Sequence, residues 1–200
     1  MDIFLGLIPV TVVAAITLFF VKEAVEAVRR HLSDKRKIHG LKTLFARECE
    51  LNLWTIKALR SILVNVPKPD DSTPQTIVQI EHREDKVPYA RIISDDGASE
   101  SSGPIPIVHR ELMTKYLLDT ATLDKELFDD LEVAYDALAD LSHVRQSLVQ
   151  VHEDQARMNI PGFFGSFAEW ALEELDEIEG ALASLYKHCT GGALEKHRLR

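Results

Sequence analysis

Only two cysteines, eight prolines and nine glycines occur among the 200 residues. Two cysteines cannot make a disulfide scaffold, and so little glycine and proline excludes a collagen-like or low-complexity chain. Basic charge is also short: 23 Lys and Arg stand against 32 Asp and Glu, a formal net charge of −9. With a pI near 5.4 the chain is not a uniformly basic nucleic-acid binder. No His-Glu-x-x-His or Glu-x-x-His pattern is present, and residues 162–165 lack the Lys and Ser/Thr of a phosphate-binding loop. The nearest metal-type spacing is Asp140 with His143, which has no identifiable partner, so no metal and no cofactor is expected.

What is present is unevenly spread. Residues 3–21 contain no charged side chain. As a helix they would extend roughly 28 Å, close to the ~30 Å hydrocarbon core of a bilayer. The flank after this run holds Lys22, Arg29, Arg30, Lys35, Arg36 and Lys37, whereas only Asp2 precedes it. The positive-inside rule then predicts a single-pass anchor at 1–21 with its N-terminus outside and residues 22–200 cytoplasmic, at the plasma membrane, or the inner membrane if the source is bacterial. The same six cations are candidate membrane-surface residues, and membrane lipids candidate partners.

Charge divides the remainder. Residues 22–68 carry eleven Lys and Arg against five Asp and Glu, while the acidic excess lies entirely in 69–200. Residues 22–66 read as a basic juxtamembrane helical region, weakest at Gly40, with apolar positions at Leu41, Leu44, Leu51, Trp54, Ala58 and Ile62, stopped by Pro67 and Pro69. Residues 67–108 form an insert. Two β-branched runs, 76–81 and 89–94, predict a hairpin; 95–103 reads as a flexible loop and 105–108 as a short edge strand.

The acidic region 109–190 is expected to pack with 41–66 as one bundle. A short helix over 109–118 is followed by a long one over 123–158. Its Leu127, Leu131, Ala134, Leu138, Leu141 and Leu148 recur at alternating fours and threes, a seam broken by Arg145. Residues 159–162 end it. Ser166 with Glu169 predicts a capping box opening a last helix to His188, with an inner stripe of Phe167, Trp170 or Ala171, Leu175, Ile178, Leu182 and Leu185. A tail occupies 191–200. The fold class expected is therefore mainly α: an N-terminal transmembrane helix continuing into a cytoplasmic antiparallel helical bundle with a small β-hairpin insert.

Two groups of residues are candidates for function. Phe163, Phe164, Phe167 and Trp170 concentrate aromatic surface in and just after the turn before the last helix, and Glu173 and Glu177 follow in an acidic run; together they are candidate partner-binding residues. Arg145 and His152 lie two turns apart on one helix face. An Arg with a His a few residues beyond it resembles the signature of HEPN-type helical ribonucleases, which implies that Arg145 holds a phosphate and His152 serves in acid–base cleavage. Residues 141–145 also resemble the phosphoacceptor helix of sensor histidine kinases, but Val144 stands where the acid belongs. The principal reading is a membrane-anchored helical interaction or regulatory module without catalysis or nucleic-acid binding, engaging a protein partner or self-associating through its helix seam. The alternatives are an anchored HEPN-like ribonuclease or toxin-like effector, and a small accessory subunit of a larger membrane complex.

Overall fold

The computed structural model describes residues 10–67, 76–82, 87–94, 100–158 and 163–194. The chain contains, in order, α1 (Val10–Leu63), β1 (Thr76–His82), β2 (Pro88–Ser94), β3 (Glu100–Pro104), α2 (Glu111–Leu123), α3 (Lys125–Met158) and α4 (Phe163–Thr190). It divides into two compact units, Met1–Gly40 and Leu41–Arg200.

In the first unit the described residues are the opening stretch of α1. Helical structure runs through Gly40 rather than breaking there. A single interior glycine costs only about 1 kcal/mol against alanine, and no proline occurs from Val10 to Val66 to add to it. The expected transmembrane anchor is overturned: no helix among the described residues is long and apolar enough to cross a membrane. Within α1 the charge-free stretch is residues 10–21, roughly 18 Å at helical rise, and Lys22, Glu23 and Glu26 follow. Residues 3–9 of the expected span lie outside the described residues. With the anchor go the single-pass topology and the assignment of 22–200 to the cytoplasmic side of a membrane.

In the second unit, α3 and α4 form an antiparallel hairpin. Asp130 meets His188, His143 meets Trp170, and His152 meets Phe164, so numbers fall on one helix as they rise on the other. The seam of α3 is the core of this pair: Leu127, Leu131, Ala134, Leu138, Leu141 and Leu148 are all fully buried. On α4 the facing stripe is Phe164, Ala168, Ala171, Leu175, Ile178, Leu182 and Leu185. The helix begins at Phe163, so Ser166 lies inside it and is not its cap. The described part of the aromatic turn is therefore the first turn of α4, and the rest, 159–162, lies outside the described residues.

Residues 41–63 of α1 run antiparallel to α4. Arg60 pairs with Asp176 at 2.6 Å and Glu179 at 2.8 Å, and the Tyr186 hydroxyl donates to Glu50 at 3.3 Å. The buried face is Leu41, Phe45, Cys49, Leu53, Ile56, Leu59 and Leu63, joined by Ile62. Trp54 and Leu44, read as core from their spacing, are 50% and 36% exposed. Two stripes of similar spacing run along this helix, and the second unit's other elements pack against the one led by Phe45.

The insert is a three-stranded antiparallel meander, β1-β2-β3. Val78 and Ile80 of β1 and Ala90 of β2 are buried, with Ile80 opposite Ala90. β3 corrects the expected loop: residues 100–104 pair with β2, whereas 105–110 are irregular. The sequence Glu-Ser-Ser-Gly-Pro has little strand propensity, and an ion pair assists the pairing. Arg91 holds both carboxylate oxygens of Glu100, at 2.7 and 2.8 Å, diagonally across the two strands. That contact draws the Glu100 carboxyl below its usual range. Residues 95–99 of the expected loop lie outside the described residues.

Candidate functional site

The most organised polar structure lies on α1, where sequence reading placed none. Glu48, Asn52 and Thr55 are spaced by four and three, so they share one helix face. All three are buried, Glu48 at 2% exposure and the others at 0%. The Glu48 carboxylate accepts the backbone N–H groups of Leu112 and Met113 at 2.9 and 2.8 Å. These are orphan donors in the first turn of α2, whose flanking Arg110 makes no side-chain cap. A carboxylate from another helix thus does the work of an N-cap, and its charge suits the positive end of the α2 dipole. Asn52 accepts the His109 N–H at 2.9 Å and donates back to the His109 carbonyl and to the Glu48 carbonyl. The Thr55 hydroxyl donates to the Ile107 carbonyl at 2.9 Å.

Arg145 secures the same segment from the other side. Its Nε donates to the Pro106 carbonyl at 2.6 Å and its Nη2 to the Ile105 carbonyl at 3.4 Å. Residues 105–113 are therefore held between a three-rung ladder on α1 and a guanidinium on α3. The interruption of the α3 seam at Arg145 has this structural use: a half-buried arginine satisfies two carbonyls of an irregular segment. Burial lowers its pKa from the ordinary value, and no carboxylate partners it among the described residues.

His152 is also engaged. Its Nε2 accepts the Ile80 N–H of β1 at 3.3 Å, and its ring meets Phe164 edge-on at 5.8 Å. Burial lowers its pKa, partly opposed by Glu153. A polar groove of about 470 Å³ opens beside α3, lined by Pro88, Arg145, Gln146, Gln150, Glu153 and Asp154 together with Val149. His152 does not line it. Arg145 and His152 thus serve two different contacts, one to the 105–106 carbonyls and one to β1.

The aromatic candidates form a ladder of rings. Phe164 is buried and stacks on Phe167 at 6.5 Å, Phe167 tilts against Trp170 at 5.7 Å, and Trp170 meets His143 edge-on at 6.2 Å. Burial falls along this series, from Phe164 to a half-buried Phe167 and a Trp170 that is 39% exposed. Phe163 opens α4; its side chain lies outside the described residues. Glu173 and Glu177 are exposed on α4.

Of the six basic residues, Lys22 and Arg30 both pair with Glu26 at one helical turn, at 3.9 and 3.5 Å. Arg29, Lys35, Arg36 and Lys37 are exposed and make no ion pair among the described residues. No group of three or more His, Cys, Asp or Glu side chains is placed to hold a metal ion among the described residues.

No family model, curated protein or solved structure matches this chain. The geometry alone carries the functional argument.

The state of His152 yields a pH prediction. Because its folded pKa is depressed, the neutral ring is favoured in the folded chain. Its contribution to stability is complete above the unfolded value of about 6.5 and is lost as pH falls through the depressed folded value. The denaturation midpoint of the wild type should therefore drop more between pH 7.5 and 5 than that of His152→Gln, whose amide oxygen still accepts from Ile80. Equal drops in the two proteins would remove His152 as the cause.

Proposed function

We propose that this protein is a helical interaction module without catalytic activity of its own, which associates with a second copy through the first stretch of α1. The supporting observation is an apolar stripe left uncovered. Leu18, Val21, Val25, Val28 and Leu32 recur at threes and fours, and their exposure ranges from 45% to 69%. The α3 seam, the stripe with which self-association was expected, is consumed by the chain's own core. The stripe on α1 has the spacing of a two-stranded coiled coil, with Leu18, Val25 and Leu32 as one row and Val21 and Val28 as the other.

The flanking charges select an orientation. One flank carries Lys22, Arg29 and Arg36, and the other Thr17, Ala24 and His31. An antiparallel pair would set the cationic flanks against one another, at a cost of like-charge contact. A parallel pair sets each cationic flank against the nearly uncharged one. Thr17 brings no unmet polar group, since its hydroxyl donates to the Val13 carbonyl at 2.8 Å. A parallel pair of copies is therefore the arrangement that these charges permit.

Multi-angle light scattering of the full chain tests this. A dimer mass is expected at micromolar concentration, and a monomer for the double variant Val25→Asp, Val28→Asp. The urea midpoint of the second unit should be the same in both. A monomeric wild type over the whole concentration range, or a variant that keeps the dimer mass, would remove the proposal.

A further inference from the structure

The two cysteines of the chain, Cys49 and Cys189, fall on two helices that face one another. Cys49 lies on α1 with no solvent exposure, and Cys189 is in the last turn of α4, half-buried. The antiparallel pairing of these helices is fixed by side-chain contacts at two levels. Arg60 reaches Asp176 and Glu179, and one residue from Cys49, Glu50 accepts from the Tyr186 hydroxyl. Following α1 back from Arg60 while following α4 forward from Glu179 brings Cys49 opposite Cys189. The same neighbourhood acts electrostatically on both: Cys49 feels Cys189, Tyr186 feels Cys49, and Cys189 feels Lys42 and Asp130.

We propose that Cys49 and Cys189 are a disulfide-forming pair that, when oxidised, fastens the end of α4 to α1. The oxidant is a small-molecule disulfide such as oxidised glutathione. Cys189, the more accessible thiol, attacks as thiolate and forms a mixed disulfide, releasing one glutathione thiol. The Cys49 thiolate then attacks the Cys189 sulfur and releases the second. Two protein thiols lose two protons and two electrons in all, and one glutathione disulfide takes them up to become two thiols.

The surroundings make this pair slow rather than reactive. Burial pushes the Cys189 thiol up to about 11, against the opposing effect of Lys42, and raises Cys49 further still. At neutral pH both stay protonated and resist casual oxidation. The rate of closure should therefore rise with pH. The last turn of α4 is where opening would expose the pair, because Gly191, at φ +74°, ends the helix directly after Thr190. A covalent tie between segments so distant in sequence restricts the unfolded chain strongly, which raises the denaturation midpoint.

The test treats the full chain, under native conditions at pH 8.5, with oxidised glutathione, followed by alkylation and intact-mass measurement. The expected product is a single covalent chain lighter by two hydrogens, refractory to alkylation, and yielding a peptide that joins Cys49 to Cys189. Its urea midpoint should exceed that of the reduced protein and return to the reduced value with dithiothreitol. Cys189→Ser, at a half-buried position, should keep the helical circular dichroism and lose the link. A native protein that stops at one glutathione on Cys189, takes up two alkyl groups, or links only between chains would overturn the proposal.

Discussion

Glu48→Ala is expected to lower the unfolding free energy by about 3 kcal/mol, a large share of the 5–15 kcal/mol typical of a domain. The carboxylate satisfies two buried N–H groups at once. A hydrogen bond to a charged group contributes about 1.5–3 kcal/mol, and a buried donor left unmet costs about 1–3 kcal/mol. Removing the buried charge recovers part of this through its desolvation, which keeps the net below the sum. Glu48→Gln retains the volume and one acceptor but turns an amide donor toward the second N–H, so it should lose about half as much. The effect should be local first: hydrogen exchange at the Leu112 and Met113 amides accelerates before the rest of the helices respond. An alanine variant within about 0.5 kcal/mol of wild type, by urea denaturation, would show that α2 does not depend on this cap.

Leu138→Ala is expected to cost about 2–5 kcal/mol, with an unchanged dependence on denaturant, because the side chain is fully buried between α3 and α4. The informative comparison is Trp54→Ser. Deleting a core tryptophan would cost about 3–5 kcal/mol, whereas an exposed one costs far less. At 50% exposure, Trp54 should cost about 1 kcal/mol or less. Near-equal losses for the two variants would place Trp54 in the core after all, and with it the alternative face of α1.

Those two positions also mark what could be read from the sequence. The α3 seam is legible because its apolar residues alternate fours and threes with a single break, and few large apolar residues, such as Val133, lie off it. α1 offered two stripes of similar spacing, one through Leu44 and Trp54 and one through Phe45, Cys49 and Ile56. Spacing cannot choose between them, because the choice depends on where α4 and residues 105–113 lie. The Glu48, Asn52 and Thr55 ladder was missed because buried polar residues look like solvated ones until their partners are known. A signal was nevertheless present: three polar residues at four and three, on the same face as Phe45 and Ile56. β3 was hidden by its own composition, since an interstrand arginine and carboxylate assist a pairing that Ser, Ser, Gly and Pro would not suggest. Arg145 reads in sequence as a polar interruption of the seam, with a chemical role only in the alternative reading; the structure gives it two carbonyls to hold. The apolar run at the N-terminus has the length of a span in sequence, but among the described residues no helix is long and apolar enough to cross a membrane.

The ladder on α1 recognises peptide groups and not side chains. Carbonyls of residues 107 and 109 and N–H groups of 109, 112 and 113 are its targets, and every residue offers these alike except proline, which lacks the N–H. The instructions for docking residues 107–113 are thus written largely on one strip of α1, with Arg145 of α3 holding the two carbonyls before them. Mutational drift along 107–112 can be wide so long as proline stays out of positions 109 and 112, whereas Met113 is fully buried and is held by its packing as well. Glu48, Asn52 and Thr55 have no such latitude, and an allele that altered them would misplace a segment whose own sequence was intact.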